Sequence, residues 1–217
     1  MPIKAVIFDV GETLINEARM WRGWATYLKV PEADFIAALD DVIARGEPLR
    51  RVFDRFRASF DLAAARRERA TAGDNAMFDA RDLYADAEPC LHRLRALGYR
   101  VGIAGNQPKG AVAALEALNL PADFIAASAT LGVTKPSAAF FDKVADMSGV
   151  AAREIAYVGD RLDNDILPAR AAGMATMFLL RGPWAKVQAR LPEAALASAQ
   201  LTSLTEIPDA LIRLNAL

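Results

Sequence analysis

Hydrophobic positions along the chain follow two rhythms. Five short apolar runs rich in β-branched residues, at 3–8, 100–104, 124–127, 155–158 and 176–180, read as buried parallel strands. After the second run, apolar residues recur at helical spacing over 110–118, 137–147 and 166–172, with Gly149 and Gly173 placed as helix stops. Strand and helix in alternation predict an α/β fold with a doubly wound parallel sheet.

The first crossover breaks that rhythm. About ninety residues separate the first two strand runs, and most of them cannot form a single crossover helix. Trp21, Trp24, Tyr27 and Leu28, then Phe35, Ile36, Leu39 and Ile43, then Val52, Phe53, Phe56 and Phe60, all repeat at helical spacing. They predict a small helical cap at 16–85, inserted into a core made of 1–15 and 86–217. Packing inside the insertion is the ordinary use of such aromatics. Pro89 and Gly98 frame the helix that returns the chain to the core.

Composition narrows the function. With 217 residues, 53% hydrophobic and 24% charged, the chain holds enough apolar material for one globular domain, or for a domain with an insertion. Twenty-six basic residues against twenty-seven acidic ones give a net charge of -1, so there is no general attraction to nucleic acid or to an anionic membrane. Any anionic ligand must be bound locally. One cysteine, Cys90, and one histidine, His92, exclude an internal disulfide and any metal site built on several such ligands. The N-terminus lacks the pattern of a signal peptide and no run is long enough to span a bilayer, so a cytoplasmic location is expected. No phosphate-binding Gly-Lys loop, dinucleotide-binding glycine turn or nucleophile elbow follows any strand.

In a doubly wound sheet, ligands bind outside the carboxyl ends of the strands. Here those ends read Asp9-Val10-Gly11-Glu12-Thr13-Leu14 after the first run, Gly105-Asn106 after the second, and Gly159-Asp160 with Asp165 after the fourth. Lys135-Pro136 lies in the loop after the third. Singly, each has an ordinary reading as a helix cap, a turn residue or a solvated lysine. Together they bring three carboxylates and one ammonium to one sheet edge, an arrangement that repels itself unless a divalent cation and the lysine neutralise it. Oxygen-only ligation points to magnesium, and a carboxylate beside such an ion can attack a phosphate.

These stretches, IFDVGETL, VGIAGNQ, TKP and VGDRLDND followed by AAGM, closely resemble the four motifs of the haloacid dehalogenase superfamily, in the branch with a helical cap after the first motif. The resemblance covers nearly the whole chain. It implies a Rossmann-like core in which Asp9 is the nucleophile that forms an aspartyl-phosphate, Thr13 supports it, and Lys135 holds both the phosphate and the nucleophile. It further implies that Asp160 binds magnesium directly, that Asp165 sits beside the ion or reaches it through water, and that the Gly11 carbonyl is another ligand. Asn106 is expected to orient the substrate phosphate, with Gly105 offering only its backbone amide.

Two departures stand out. Phosphatases of this superfamily carry a second aspartate, the general acid and base, where this chain has Gly11, and a serine or threonine where it has Gly105. Glu12 replaces the usual glycine one position later and is the candidate substitute acid and base, its plain reading being an outward-facing turn residue. The resemblance therefore implies a magnesium-dependent phosphoric monoester or acyl phosphate hydrolase acting on a small phosphorylated metabolite. A catalytically impaired family member that binds such a metabolite or a protein is the alternative. Haloacid dehalogenation, which also proceeds without the second aspartate, is disfavoured by Asp160 and Asp165. Phosphonate hydrolysis would need a cap lysine, for which only Lys29 is present. Arg19, Trp21, Arg22 and Trp24 are candidates to reach the substrate, the segment 181–184 is a candidate rim, and a monomer or homodimer is expected.

Overall fold

The first apolar run forms the middle of the sheet. Ala5, Val6, Ile7 and Phe8 have no exposed surface, and as β1 (Ala5–Phe8) they pair in parallel with a strand on either side. The computed structural model describes residues 1–74 and 78–216. In chain order β1 is followed by α1 (Ala18–Leu28), α2 (Glu32–Ala44), α3 (Arg51–Asp54) and α4 (Leu62–Thr71), and the chain returns through α5 (Ala87–Ala96) to β2 (Arg100–Gly105). Next come α6 (Lys109–Ala117), β3 (Phe124–Ala127), α7 (Ser128–Leu131), α8 (Ala138–Ser148) and β4 (Ile155–Gly159). A π-helical turn at Leu162–Ile166 runs into α9 (Leu167–Ala171), and β5 (Ala175–Leu179), α10 (Gly182–Gln188), β6 (Ala199–Leu201) and α11 (Ile207–Asn215) complete the chain.

Among the described residues the six strands are parallel, in the order β3-β2-β1-β4-β5-β6. Strand order reverses at β1, so the carboxyl ends of β1, β2 and β4 surround the switch point at which such sheets place their ligands. All five strand runs read from sequence are present, with ends moved by no more than two residues. The sixth strand was not foreseen. Its three residues, Ala-Gln-Leu, are too few to carry a periodic signal.

Contacts divide the chain into two units, Met1–Asn16 with Asp79–Leu217, and Glu17–Phe78. Asn16 and residues 79–85, assigned to the insertion from sequence, belong with the α/β unit. The reason is a short ladder beside the first loop: Ile15 bridges to Leu83, the Asn16 amide donates to the Asp82 carbonyl (2.7 Å), and the Tyr84 amide donates to the Leu14 carbonyl (2.9 Å). No helix among the described residues is long and apolar enough to cross a membrane.

The helical unit has an aromatic core of its own. Trp24 meets Phe53 edge-on at 5.0 Å, Phe53 stacks on Phe60 at 5.1 Å, and Phe35 stacks on Phe56 at 5.9 Å. The buried Arg69 guanidinium lies 4.1 Å from the Trp24 ring centroid, a cation–π contact, and its Nε donates to Asp74 (2.8 Å). Trp21 and Trp24 are thus packing residues of this unit, while the exposed Arg22 pairs with Glu32 at 2.9 Å.

In the α/β unit, α8 buries Phe140, Phe141 and Val144 against Ile155 and Tyr157 of the sheet. The Phe141 ring lies 5.4 Å from both Phe140 and Tyr157 in edge-on geometry. Truncating a wholly buried aromatic removes its transfer free energy and leaves a cavity. Phe141→Ala is therefore expected to cost about 3–5 kcal/mol, read as a lower urea midpoint at unchanged slope.

Candidate active site

Ladder pairing carries the chain into the first candidate residue, because the Asp9 amide donates to the Val158 carbonyl at 2.9 Å. The chain then turns sharply around the Val10 carbonyl, which accepts from the amides of Thr13 (3.3 Å), Leu14 (2.9 Å) and Ile15 (2.9 Å). Gly11 sits inside this turn, bridged to Ile15, and its backbone lies outside the left-handed region. On the neighbouring strand, β4 ends at Gly159, and the π-helical turn sets Asp165 by two bonds around Arg161. The Asp165 amide donates to the Arg161 carbonyl (3.0 Å), and Asp165 Oδ2 accepts from the Arg161 amide (3.0 Å). Extra turns of this kind often mark functional positions in helices.

These two strand ends bring three carboxylates together. One oxygen from each of Asp9, Asp160 and Asp165 lies within 4.8 Å of the others, and all three residues are buried. Lys135, 3% exposed, joins them: its Nζ donates to Asp9 Oδ1 at 2.6 Å and to Asp165 Oδ1. The loop carrying Lys135 is docked onto the end of β2 by Asn106, whose Oδ1 accepts from the Lys135 amide (2.8 Å) and whose Nδ2 donates to the Lys135 carbonyl (3.0 Å). Asn106 was expected from sequence to face the phosphate. Its observed bonds fix the lysine loop, and one Nδ2 hydrogen remains for another acceptor.

Beneath the ammonium lies Tyr157, which sequence reading missed. Its ring centroid is 5.6 Å from Lys135 Nζ, and its hydroxyl donates to the Ala104 carbonyl at 2.7 Å. The available signal was a phenol inside an otherwise apolar strand, a polar tip that needs a partner once buried.

Burial disfavours charge throughout this cluster. It pushes the Asp165 carboxyl up to about 6, with the Lys135 ammonium opposing that rise and Asp9 adding to it. Burial works against the Lys135 ammonium as well, yet Asp165 and Asp9 outweigh it and hold the group well above the ordinary lysine value. With all groups ionised, three carboxylates against one ammonium leave two negative charges. A divalent cation would cancel them, and an all-oxygen donor set would suit magnesium. The Thr13 hydroxyl, buried in the same loop, has no hydrogen-bond partner among the described residues, so it retains bonding capacity toward a bound group.

Gly105 and Glu12, which depart from the expected motifs, each have a local explanation. A Cβ at Gly105 would lie 2.7 Å from Asp9 Oδ1 and 3.1 Å from Val10 Cγ2, so the bare glycine gives the Asp9 carboxylate its room beside Lys135. Glu12 has φ +50 and is only 5% exposed, so it does not face outward as its plain reading held. Glu12 Oε2 accepts from the Tyr84 hydroxyl at 2.5 Å. The Tyr84 ring in turn carries the Arg181 guanidinium at 4.2 Å, and Arg181 forks onto Asp86 at 3.1 and 2.6 Å. Burial and the Glu12 carboxylate both push the Tyr84 hydroxyl upward, so it keeps its proton. Nothing in the local pattern around Tyr84 marks it, because its partner is 72 residues away. Cys90 is a buried packing residue of α5, its thiol pushed up to about 12 by burial, and His92 is exposed on the same helix.

Comparisons with known proteins agree with this geometry. The family model for haloacid dehalogenase-like hydrolases matches residues 3–173. The glyceraldehyde 3-phosphate phosphatase of Methanopyrus kandleri is 30% identical over 212 residues, covering 87% of this chain and 88% of the relative. The phosphoglycolate phosphatase of Rhodospirillum rubrum is 32% identical over 197 residues, covering 82% and 80%. Among solved structures, the HAD-hydrolase YfnB of Bacillus subtilis, bound to magnesium, superposes with a TM-score of 0.67 at 18% identity over 97% of this chain and 99% of that one, a likeness of fold. The sheet order, the buried carboxylates at its switch point and the match across most of the chain place this protein in the haloacid dehalogenase-like hydrolase family.

Proposed function

We propose that this hydrolase is a magnesium-dependent phosphatase that takes a small phosphorylated metabolite and passes its phosphoryl group through Asp9. The observation that carries the reading is the buried trio Asp9, Asp160 and Asp165 with the Lys135 ammonium bonded to two of its members. Relatives named as phosphatases of glyceraldehyde 3-phosphate and phosphoglycolate support the substrate class. A haloacid would bring its own carboxylate toward Asp160 and Asp165, which disfavours dehalogenation.

In this reading Asp9, Asp160, Asp165 and the Gly11 carbonyl hold the cation. When bound, magnesium screens the phosphate charge and neutralises the carboxylates. Lys135 keeps one Asp9 oxygen oriented by its hydrogen bond and presents its one remaining proton to a phosphoryl oxygen. The Gly105 amide and the second Asn106 amide hydrogen receive the phosphate from the β2 side, and the Thr13 hydroxyl supports the first loop. The free Asp9 oxygen attacks phosphorus to give the aspartyl-phosphate, which water then cleaves.

Three outcomes test this. Acetyl phosphate and p-nitrophenyl phosphate should be hydrolysed with magnesium and not after its chelation, and Asp9→Asn should lower turnover by at least about a thousandfold. Ligand binding without turnover in the native protein would instead identify a binding protein. Because a proton on Asp165 competes with the cation, magnesium affinity measured calorimetrically should rise as pH climbs through about 6. A flat profile would remove Asp165 from the ligand set. Finally, Lys135→Met strands buried carboxylates and should destabilise the chelated protein by about 3–5 kcal/mol at neutral pH. The loss should shrink on acidification, as the carboxylates take up protons in the folded state, which urea titrations at two pH values would show.

A further inference from the structure

We infer that the phosphoryl group reaches this site on a weakly basic oxygen, as in an acyl or aryl phosphate, and not on an alkyl oxygen. The inference rests on the phosphatase reading and names its substrate class. It follows from where the acidic protons of the α/β unit are held.

Phosphoryl transfer runs through a loose transition state in which charge builds on the leaving oxygen. An alkoxide needs a proton at that moment, and a positioned general acid is worth about a hundredfold to ten-thousandfold. Gly11 brings no side chain to the first turn. Asp9 and Asp165 are bonded to Lys135, and Asp160 completes their cluster. Glu12 is the remaining acid of the turn, and it is clamped. Its backbone is left-handed at φ +50, and Gly182, itself at φ +77, packs so closely that a Cβ there would lie 2.6 Å from Glu12 Cγ. Its Oε2 is occupied by the Tyr84 hydroxyl at 2.5 Å, and Tyr84 is pinned by Arg181, which Asp86 holds. Swinging Glu12 toward a leaving group would break the Tyr84 bond and the contact with Gly182. The Tyr84 proton points into the same bond. Neither group protonates a departing oxygen.

A weakly basic leaving group removes the need. Asp9 forms its bond to phosphorus, the bond from phosphorus to the leaving oxygen breaks, and the electron pair departs on a carboxylate or phenolate that takes no proton. Water next attacks phosphorus, the bond to Asp9 breaks, and Asp9 returns as a carboxylate. The protons of that water stay on the released inorganic phosphate. This sets the chain apart from relatives named for alkyl esters.

The test is a profile of kcat/KM across acetyl phosphate, p-nitrophenyl phosphate, phenyl phosphate and phosphoglycolate, with magnesium present. The acetyl and p-nitrophenyl arms separate acyl from aryl preference. Phosphoglycolate should fall below acetyl phosphate by at least about a hundredfold. Glu12→Gln and Tyr84→Phe should scale all four substrates by a common factor, whereas Gly11→Asp, which restores a carboxylate to the turn, should narrow the acyl-to-alkyl ratio at least about tenfold. Comparable rates on phosphoglycolate and acetyl phosphate, or selective loss of alkyl turnover in Glu12→Gln, would overturn the inference while leaving the phosphatase reading intact. No turnover on any of the four would overturn both.

Discussion

Burying three carboxylates at one sheet edge is tolerable only because Lys135 is buried with them. Its ammonium bonds Asp9 and Asp165 at once, and each carboxylate raises the proton affinity of the amine that neutralises it. Neither sign is stable there alone, since an unpaired buried charge costs several kcal/mol. The surrounding structure follows from this mutual dependence. The Asn106 amide fixes the backbone of Lys135, the π-helical turn fixes Asp165, and Gly105 leaves space for Asp9. One ammonium still falls short of three carboxylates, a deficit that a divalent cation would cancel.

Topology delivers these groups. Asp9 and Asp160 end adjacent strands paired in register, Phe8 with Val158, so their approach is a property of the sheet. Lys135 comes from a loop between two helices and needs a tether, which Asn106 supplies from the end of β2. The same logic explains the short ladder between residues 14–16 and 82–84. It ties the exit of the first loop to the returning chain, so the turn holding Gly11 and Glu12 stays fixed where a long insertion leaves it.

Much of this was legible in the sequence, for reasons that also mark the limits. Parallel strands buried on both faces are short unbroken apolar runs, and acids terminating such runs stand out against them. Asp9, Asp160, Asp165 and Lys135 were therefore visible as a set. β6 was not, because three residues at a sheet edge carry no period. Tyr157 reads as one more apolar member of its strand, and only its hydroxyl, which needs a partner once buried, sets it apart. Asn106 was visible by position, yet its bonds to the Lys135 backbone depend on a loop 29 residues further along. Tyr84, Arg181 and Asp86 form a chain of contacts between segments distant in sequence, and no local pattern encodes it.

Glu12 shows how such hidden contacts change a residue's meaning. A non-glycine residue in the left-handed region costs roughly 1–2 kcal/mol, which argues that something offsets it. A hydrogen bond to a charged group contributes about 1.5–3 kcal/mol, and Tyr84 provides one in a buried setting. The two magnitudes are comparable, so strain and bond balance, and the glutamate persists as a strut between the loop after Asp9 and the segment that begins at Arg181. A carboxylate whose stability depends on staying bonded to Tyr84 is poorly suited to shuttling protons. From sequence the substitution beside Gly11 resembled a relocated catalytic group. In the fold it closes the loop from one side while the place two residues after Asp9 stays without an acid.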